Sequence, residues 1–206
     1  MRRLVVAMAL TALTLGASGC GSGGAVAPQP KAAAALKSPF AGRPLSGPAS
    51  AADFALRDQQ GRLIRLSAQR GKLVLVTFLY THCTDICPII ATQLNLAVRQ
   101  MYHQRSSVRV LAVSVDPVGD TPRAVRAYVR ERRLLPEFHY LIGKRAQLAR
   151  VWQAYNVLVV QRNPESVGHS GYVYLLDRQG KPRVFFSAKA TAPQVAHDLR
   201  LLLRSS

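Results

Sequence analysis

The chain is poor in acid. Its 206 residues carry 10 Asp and Glu against 28 Lys and Arg, a formal charge of +18. Such an excess raises nucleic-acid binding first, and two further absences exclude it: the basic residues form no stripe interleaved with aromatics, and no nucleic-acid-binding module is recognisable. The densest basic cluster, Arg130-Glu131-Arg132-Arg133, is short and interrupted by an acid. The charge therefore reads as an arginine-biased solvated surface, with anionic lipid or an acidic partner as the functional alternative. Internal repeats and signs of a second folded domain are absent, and a chain of this length with 49% hydrophobic residues buries one good core. Cysteine is scarce, with only Cys20, Cys83 and Cys87. The apolar run from Leu4 to Leu15 is too short to span a bilayer comfortably.

That run has the makings of an export signal. Met1-Arg2-Arg3 supplies a positive start, and the small residues Ala17-Ser18-Gly19 stand directly before Cys20. The arrangement resembles a bacterial lipoprotein signal, in which peptidase cuts before the cysteine and lipid is attached to its sulfur. Residues 1–19 are thus expected to be a signal peptide and Cys20 the lipid-bearing residue. Ordinary signal cleavage and an uncleaved anchor are the alternatives, and all three place the folded domain outside the cytoplasm. Residues 20–50 are mostly Gly, Ala, Pro and Ser. A segment with so little apolar surface to bury is expected to be a flexible tether, with a reach of roughly 30 Å. The folded domain is then residues 51–206, held at a bacterial cell membrane on its periplasmic or outer face.

The periodicity of the remainder gives a mixed α/β fold. Asp53–Arg57 and Arg62–Leu66 read as a hairpin around Gln59-Gln60-Gly61. Leu73–Leu79 (LVLVTFL) and Val108–Val115 (VRVLAVSV) read as buried central strands. Helices are expected from about Pro88 to His103, Thr121 to Arg133, Arg145 to Tyr155 and Ala192 to Leu203, with Pro88 and Pro122 suited to first turns. Phe138–Ile142, Gly171–Leu176 and Arg183–Ser187 complete the strands, the last two joined through Asp177-Arg178-Gln179-Gly180. Val159 to Val167 reads as a short loop. The order β-α-β-α-β-α-β-β-α, behind an N-terminal hairpin extension, is that of a thioredoxin-like domain with a mixed central sheet flanked by helices.

Cys83 and Cys87 fall at the first strand–helix junction. A disulfide closing so small a loop restrains the unfolded chain little, on the order of 2 kcal/mol. Redox chemistry or metal binding is a better reason for the spacing. A helix N-terminus favours thiolate, which is both the nucleophile and the metal ligand. In folds of this order the residue before the strand Tyr172–Leu176 faces the active pair. Redox members carry proline there; this chain has His169. Two thiolates and one imidazole suit copper, whereas zinc prefers a closed set of four. His82 is an alternative ligand, expected to point away from the pair. His103, His139 and His197 read as surface or satisfied histidines. Asp85 is expected to cap the helix, Asp116-Pro117 to end a strand at the cysteine end of the sheet, and Trp152, Phe78 and Phe138 to lie in the core.

The run from Phe78 to Pro88 (FLYTHCTDICP) resembles the copper motif of the Sco/SenC family. Val113-Ser114-Val115-Asp116-Pro117 with Asp120-Thr121 and Tyr128 is similar to that family's second block, and Gly168-His169-Ser170 with Tyr174-Leu175-Leu176 to its third. The resemblance covers roughly Asp53 to Leu203. It implies a monomeric copper chaperone, rather than an enzyme, that helps metallate cytochrome c oxidase subunit II or another extracytoplasmic copper protein, with Cys83, Cys87 and His169 as ligands. Gly168 departs from the family, many members having Asp before the histidine. An envelope thiol–disulfide oxidoreductase using Cys83 and Cys87 is the alternative. A peroxiredoxin-like peroxidase fits less well, since the Thr and Pro usual before its cysteine are missing.

Overall fold

Leu73–Leu79 forms β4, and all seven of its side chains are buried. Six are apolar, each contributing about 1.5–3 kcal/mol on burial, and their unbroken run puts this strand inside the sheet. The computed structural model describes residues 38–47, 50–163, 166–169 and 171–205, with residues 161–163 and 166–169 described by backbone alone. The expected signal peptide, Cys20 and the tether up to residue 37 lie outside the described residues.

In chain order the strands are β1 Arg43–Pro44, β2 Ala55–Arg57, β3 Leu63–Arg65, β4, β5 Val108–Ser114, β6 Phe138–Leu141, β7 Val159–Asn163, β8 Ser166–His169, β9 Tyr172–Leu176 and β10 Pro182–Ser187. The helices are α1 Ile86–Arg99, α2 Pro122–Glu131, α3 Arg145–Ala154 and α4 Ala192–Arg204. Six strands make one sheet in the order β1-β10-β9-β4-β5-β6. β4, β5 and β6 run parallel, while β9, β10 and β1 pair antiparallel. This is the thioredoxin-like sheet with its N-terminal hairpin, β2–β3, set apart. Parallel pairing puts the C-terminal ends of β4, β5 and β6 at one end, where the loops carrying Cys83 and Asp116 emerge. α1 packs against α4. Among the described residues no helix is long and apolar enough to cross a membrane.

Three elements depart from the expectations. Residues 20–50 are not tether throughout, since the compact unit begins at Ser38. Arg43 and Pro44 pair with Phe185 and Val184 of β10, and the buried Asp198 of α4 accepts hydrogen bonds from the backbone N–H groups of Ala41 (2.8 Å) and Gly42 (2.9 Å). A Cβ at Gly42 would overlap Val184, so the lack of a side chain permits this approach. The segment expected as a loop from Val159 to Val167 is instead most of the β7–β8 hairpin. The first helix begins earlier and stops sooner than expected, and Tyr102–Ser107 continues as a 3-10 turn. Trp152, Phe78 and Phe138 lie in the core, with Trp152 Nε1 donating to the Ser114 carbonyl at 2.9 Å.

Replacing Asp198 removes the charged acceptor that holds the Ala41 and Gly42 N–H groups. Asp198→Ala is expected to lower unfolding free energy by about 3 kcal/mol in urea denaturation and to expose the segment after Ser38 to protease first.

Candidate metal centre

β4 delivers Tyr80, Thr81 and His82 to the end of the sheet, and the chain then turns, the Cys83 N–H donating to the Tyr80 carbonyl at 3.3 Å. Asp85 occupies the position before α1, but its carboxylate makes no capping hydrogen bond there. The sulfur of Cys83 serves instead. It accepts the N–H of Cys87 at 3.4 Å, in the first turn of α1, and the N–H of Asp85 as well. This corrects the expected Asp85 cap and explains why the helix starts ahead of Pro88, since a helix begins where its orphan N–H groups find an acceptor.

Neither cysteine is in a disulfide, and both are buried, at 6% exposure for Cys83 and 0% for Cys87. A hydrogen bond from the Cys87 thiol, helped by the two backbone N–H groups and Tyr80, outweighs burial and lowers Cys83 to about 5. The same hydrogen bond and burial push Cys87 well up. The pair is therefore asymmetric: Cys83 holds the charge at neutral pH and Cys87 holds the proton. A soft cation entering here meets one ready thiolate and displaces one proton from the other sulfur.

The backbone of His169 ends β8, opposite Val159 of β7. Two residues on, Gly171 abuts α1: a Cβ there would meet Ile90 Cδ1 at 3.4 Å and Ile86 Cγ2 at 4.0 Å. β9 then runs beside β4, with Val173 opposite Thr77. The topology thus brings the His169 strand end to the helix start that carries Cys87. The imidazole itself lies outside the described residues.

His82 is exposed, with Nδ1 at 3.3 Å from Thr81 Oγ1, and groups with Asp116 and Asp120, their ligand atoms all lying within 4.8 Å of one another. It leans toward the loop after β5. His139 is buried against Asp58 at 3.2 Å, and His197 Nε2 meets the Pro39 carbonyl at 3.0 Å. His103 is exposed.

Asp120, which the sequence marks only as one member of a family block, anchors the cysteine loop. Its Oδ1 accepts the Thr81 N–H at 2.8 Å, while Oδ2 accepts the hydroxyls of Ser114 (2.6 Å) and Tyr140 (3.1 Å). Asp116 shapes the same loop, its Oδ1 accepting the N–H groups of Val118 and Gly119. A Cβ at Gly119 would overlap Asp116 Oδ2 and approach His82 Nδ1 to 2.9 Å, so the loop requires glycine there.

The SCO1/SenC family model matches residues 43–204. The chain belongs to the SCO1/SenC family. The SCO2-like protein of Rickettsia typhi is 28% identical over 153 residues, covering 71% of this chain and 74% of that protein. The mitochondrial SCO2 homolog of Bos taurus is 33% identical over 155 residues, 72% of this chain and 58% of that protein. The copper-bound structure of Bradyrhizobium japonicum ScoI has a TM-score of 0.66 at 30% identity, covering 74% of this chain and 99% of that one. The SCO1/SenC match spans all three sequence blocks and reaches back through β1.

The thiol asymmetry is measurable. In an ultraviolet thiolate titration of the reduced folded unit, one sulfur is expected to ionise near pH 5 and the other to stay protonated to far higher pH. Because the folded value of Cys83 lies below the ordinary thiol value of about 8.5, its contribution to stability is complete above that value. It is lost as pH falls through about 5. Unfolding of the reduced Cys83→Ser variant should lack this component.

Proposed function

We propose that this protein is an extracytoplasmic copper chaperone, anchored to the membrane through lipid on Cys20, that carries one copper between Cys83, Cys87 and His169. Its copper goes to the binuclear centre of cytochrome c oxidase subunit II or to another extracytoplasmic copper protein. The single observation that carries this reading is the asymmetric, buried thiol pair at the start of α1, in a chain whose relative from Bradyrhizobium japonicum has been seen with copper bound. The donor set fits the cargo: soft sulfur with a preformed thiolate selects a soft cation.

Cargo must also leave. Exposed apolar side chains stand on the segments around the pair: Ile89 (49% exposed) in the first turns of α1, Val118 (84%) in the loop after β5, and Leu158 (70%) and Val160 (45%) flanking the residue paired with His169. Apolar residues so placed give a recipient protein something to bury while metal is exchanged. The same thiols support a second reading, a thiol–disulfide oxidoreductase acting on oxidase or other cysteines, because a thiolate beside a buried thiol is a reductant's arrangement.

Anaerobic titration of the reduced unit Ser38–Ser206, which contains every core residue, against a competing chelator separates the two. One copper per chain is expected. His169→Ala should weaken binding by more than the roughly 10–100-fold typical of a supporting group beyond the ligands, and Cys87→Ser should abolish it. Copper binding unchanged by His169→Ala would refute the ligand set. Retained cellular function in His169→Ala, with loss in Cys83→Ser, would favour the oxidoreductase.

A further inference from the structure

The opposite end of the sheet from the cysteines is crowded with positive charge. Lys72 leads into β4, and Arg109 is the second residue of β5, opposite Val74. The Arg178 carbonyl accepts the N–H of Gly71, and the Arg70 guanidinium lies against Gly180, where a Cβ would sit 2.8 Å from Nη1. Lys181 follows in that turn. Arg70 and Lys181 are exposed, and the other three are half-buried. The crowding has a cost: burial and then the Arg109 charge pull the Lys72 ammonium below its ordinary value, and the Arg178 Nε is buried with no hydrogen-bond partner among the described residues.

Acid offsets it only at one margin, where Glu137 stands. Asp177 is spent on its own turn, accepting the N–H groups of Gln179 and Lys181, and on Arg183. Asp58, Asp116, Asp120 and Asp198 are buried holding other segments. Glu137 borders this end beside Arg109 and Arg62. One exposed aromatic precedes the cluster: Tyr102 begins the 3-10 turn whose Ser106 carbonyl accepts Arg109 Nη1 at 3.1 Å, and it is 74% exposed and held at a φ of 46°, in the left-handed region that disfavours side chains.

We propose that Arg70, Lys72, Arg109, Arg178 and Lys181, with Tyr102 at their edge, form a docking face for the phosphate headgroups of an anionic lipid surface. Clustered cations from three segments of the chain, with an exposed tyrosine beside them, are the pattern of headgroup contact. Lying at the far end of the sheet, the face leaves the cysteines pointing away from the surface it rests on, free for another protein. It is distinct from any lipid on Cys20, so its test omits that residue.

The unit Ser38–Ser206 is sedimented with vesicles of phosphatidylcholine alone or equimolar with phosphatidylglycerol. Binding is expected only to the anionic vesicles and is lost in high salt. The double variant Arg109→Gln/Lys181→Gln should weaken it about 25-fold, fivefold per charge. The pair Arg123→Gln/Arg126→Gln, on the exposed face of α2, removes the same charge and should weaken it less than about fivefold. Equal losses in the two pairs would assign binding to net charge and overturn the face. So would absence of binding to anionic vesicles. Capture of polyglutamate by the parent without vesicle binding would point to an acidic protein instead.

Discussion

The carboxylate of Asp120 ties together the ends of three parallel strands. Thr81 follows β4, Ser114 ends β5 and Tyr140 lies in β6, and each donates a hydrogen bond to it. At 3% exposure this carboxylate has lost nearly all its hydration, and burial raises its pKa above the usual carboxylate range. A group so desolvated persists only if its acceptor sites are filled, and here three donors fill them. Because one of the donors is the backbone of the cysteine loop, the loop's path is fixed by the same bonds that satisfy the acid. Thr81 cannot move without leaving a buried carboxylate short of a donor.

That fixed path determines what Cys83 can do. Two residues beyond Thr81, its sulfur is set over the first turn of α1, where it receives the N–H groups a side-chain oxygen would ordinarily take. Capping and acidification of the thiol are thus one interaction. The helix gains an acceptor, and the sulfur gains donors that favour its charged form. Cys87, in the first turn of the helix, contributes its proton to the same sulfur and becomes harder to ionise. A symmetric pair of ordinary thiols would hold two protons at neutral pH. This pair holds one, so a cation must expel only one.

Legibility in the sequence followed how local each cause was. β4 and β5 announced themselves because burial on both faces demands continuous apolar runs, and both were located to within a residue. The β9–β10 turn was visible in its Gly180, which sits at a φ of 75°. β1 was hidden because Arg43 and Pro44 lie in a stretch of small residues and become a strand only through β10 and Asp198, more than a hundred residues away. The β7–β8 hairpin carries little alternation between apolar and polar residues, so nothing separated it from a loop. Asp85 stood where a capping acid should, but a sulfur two residues earlier had already filled the position. The role of Asp120 depends on partners 39 and 20 residues distant, which no local pattern encodes. The Asp-Thr-Pro run did mark the start of α2, where Thr121 accepts the Ala124 N–H.

The distribution of acid links these observations to the charge of the whole molecule. In a chain this short of carboxylates, several are withdrawn from the surface to hold backbone: Asp198 for the N-terminal segment, Asp177 for the β9–β10 turn, Asp58 for the β2–β3 turn, and Asp116 and Asp120 for the cysteine loop. Each is well used, since a carboxylate that accepts several N–H groups organises a turn that apolar contacts alone would leave loose. The consequence is a surface from which negative charge has been removed while arginine remains. What net charge does not explain is Lys72 beside Arg109, with Arg70 folded over Gly180. Repulsion alone would spread those groups apart, yet they are gathered at the end of the sheet away from the cysteines.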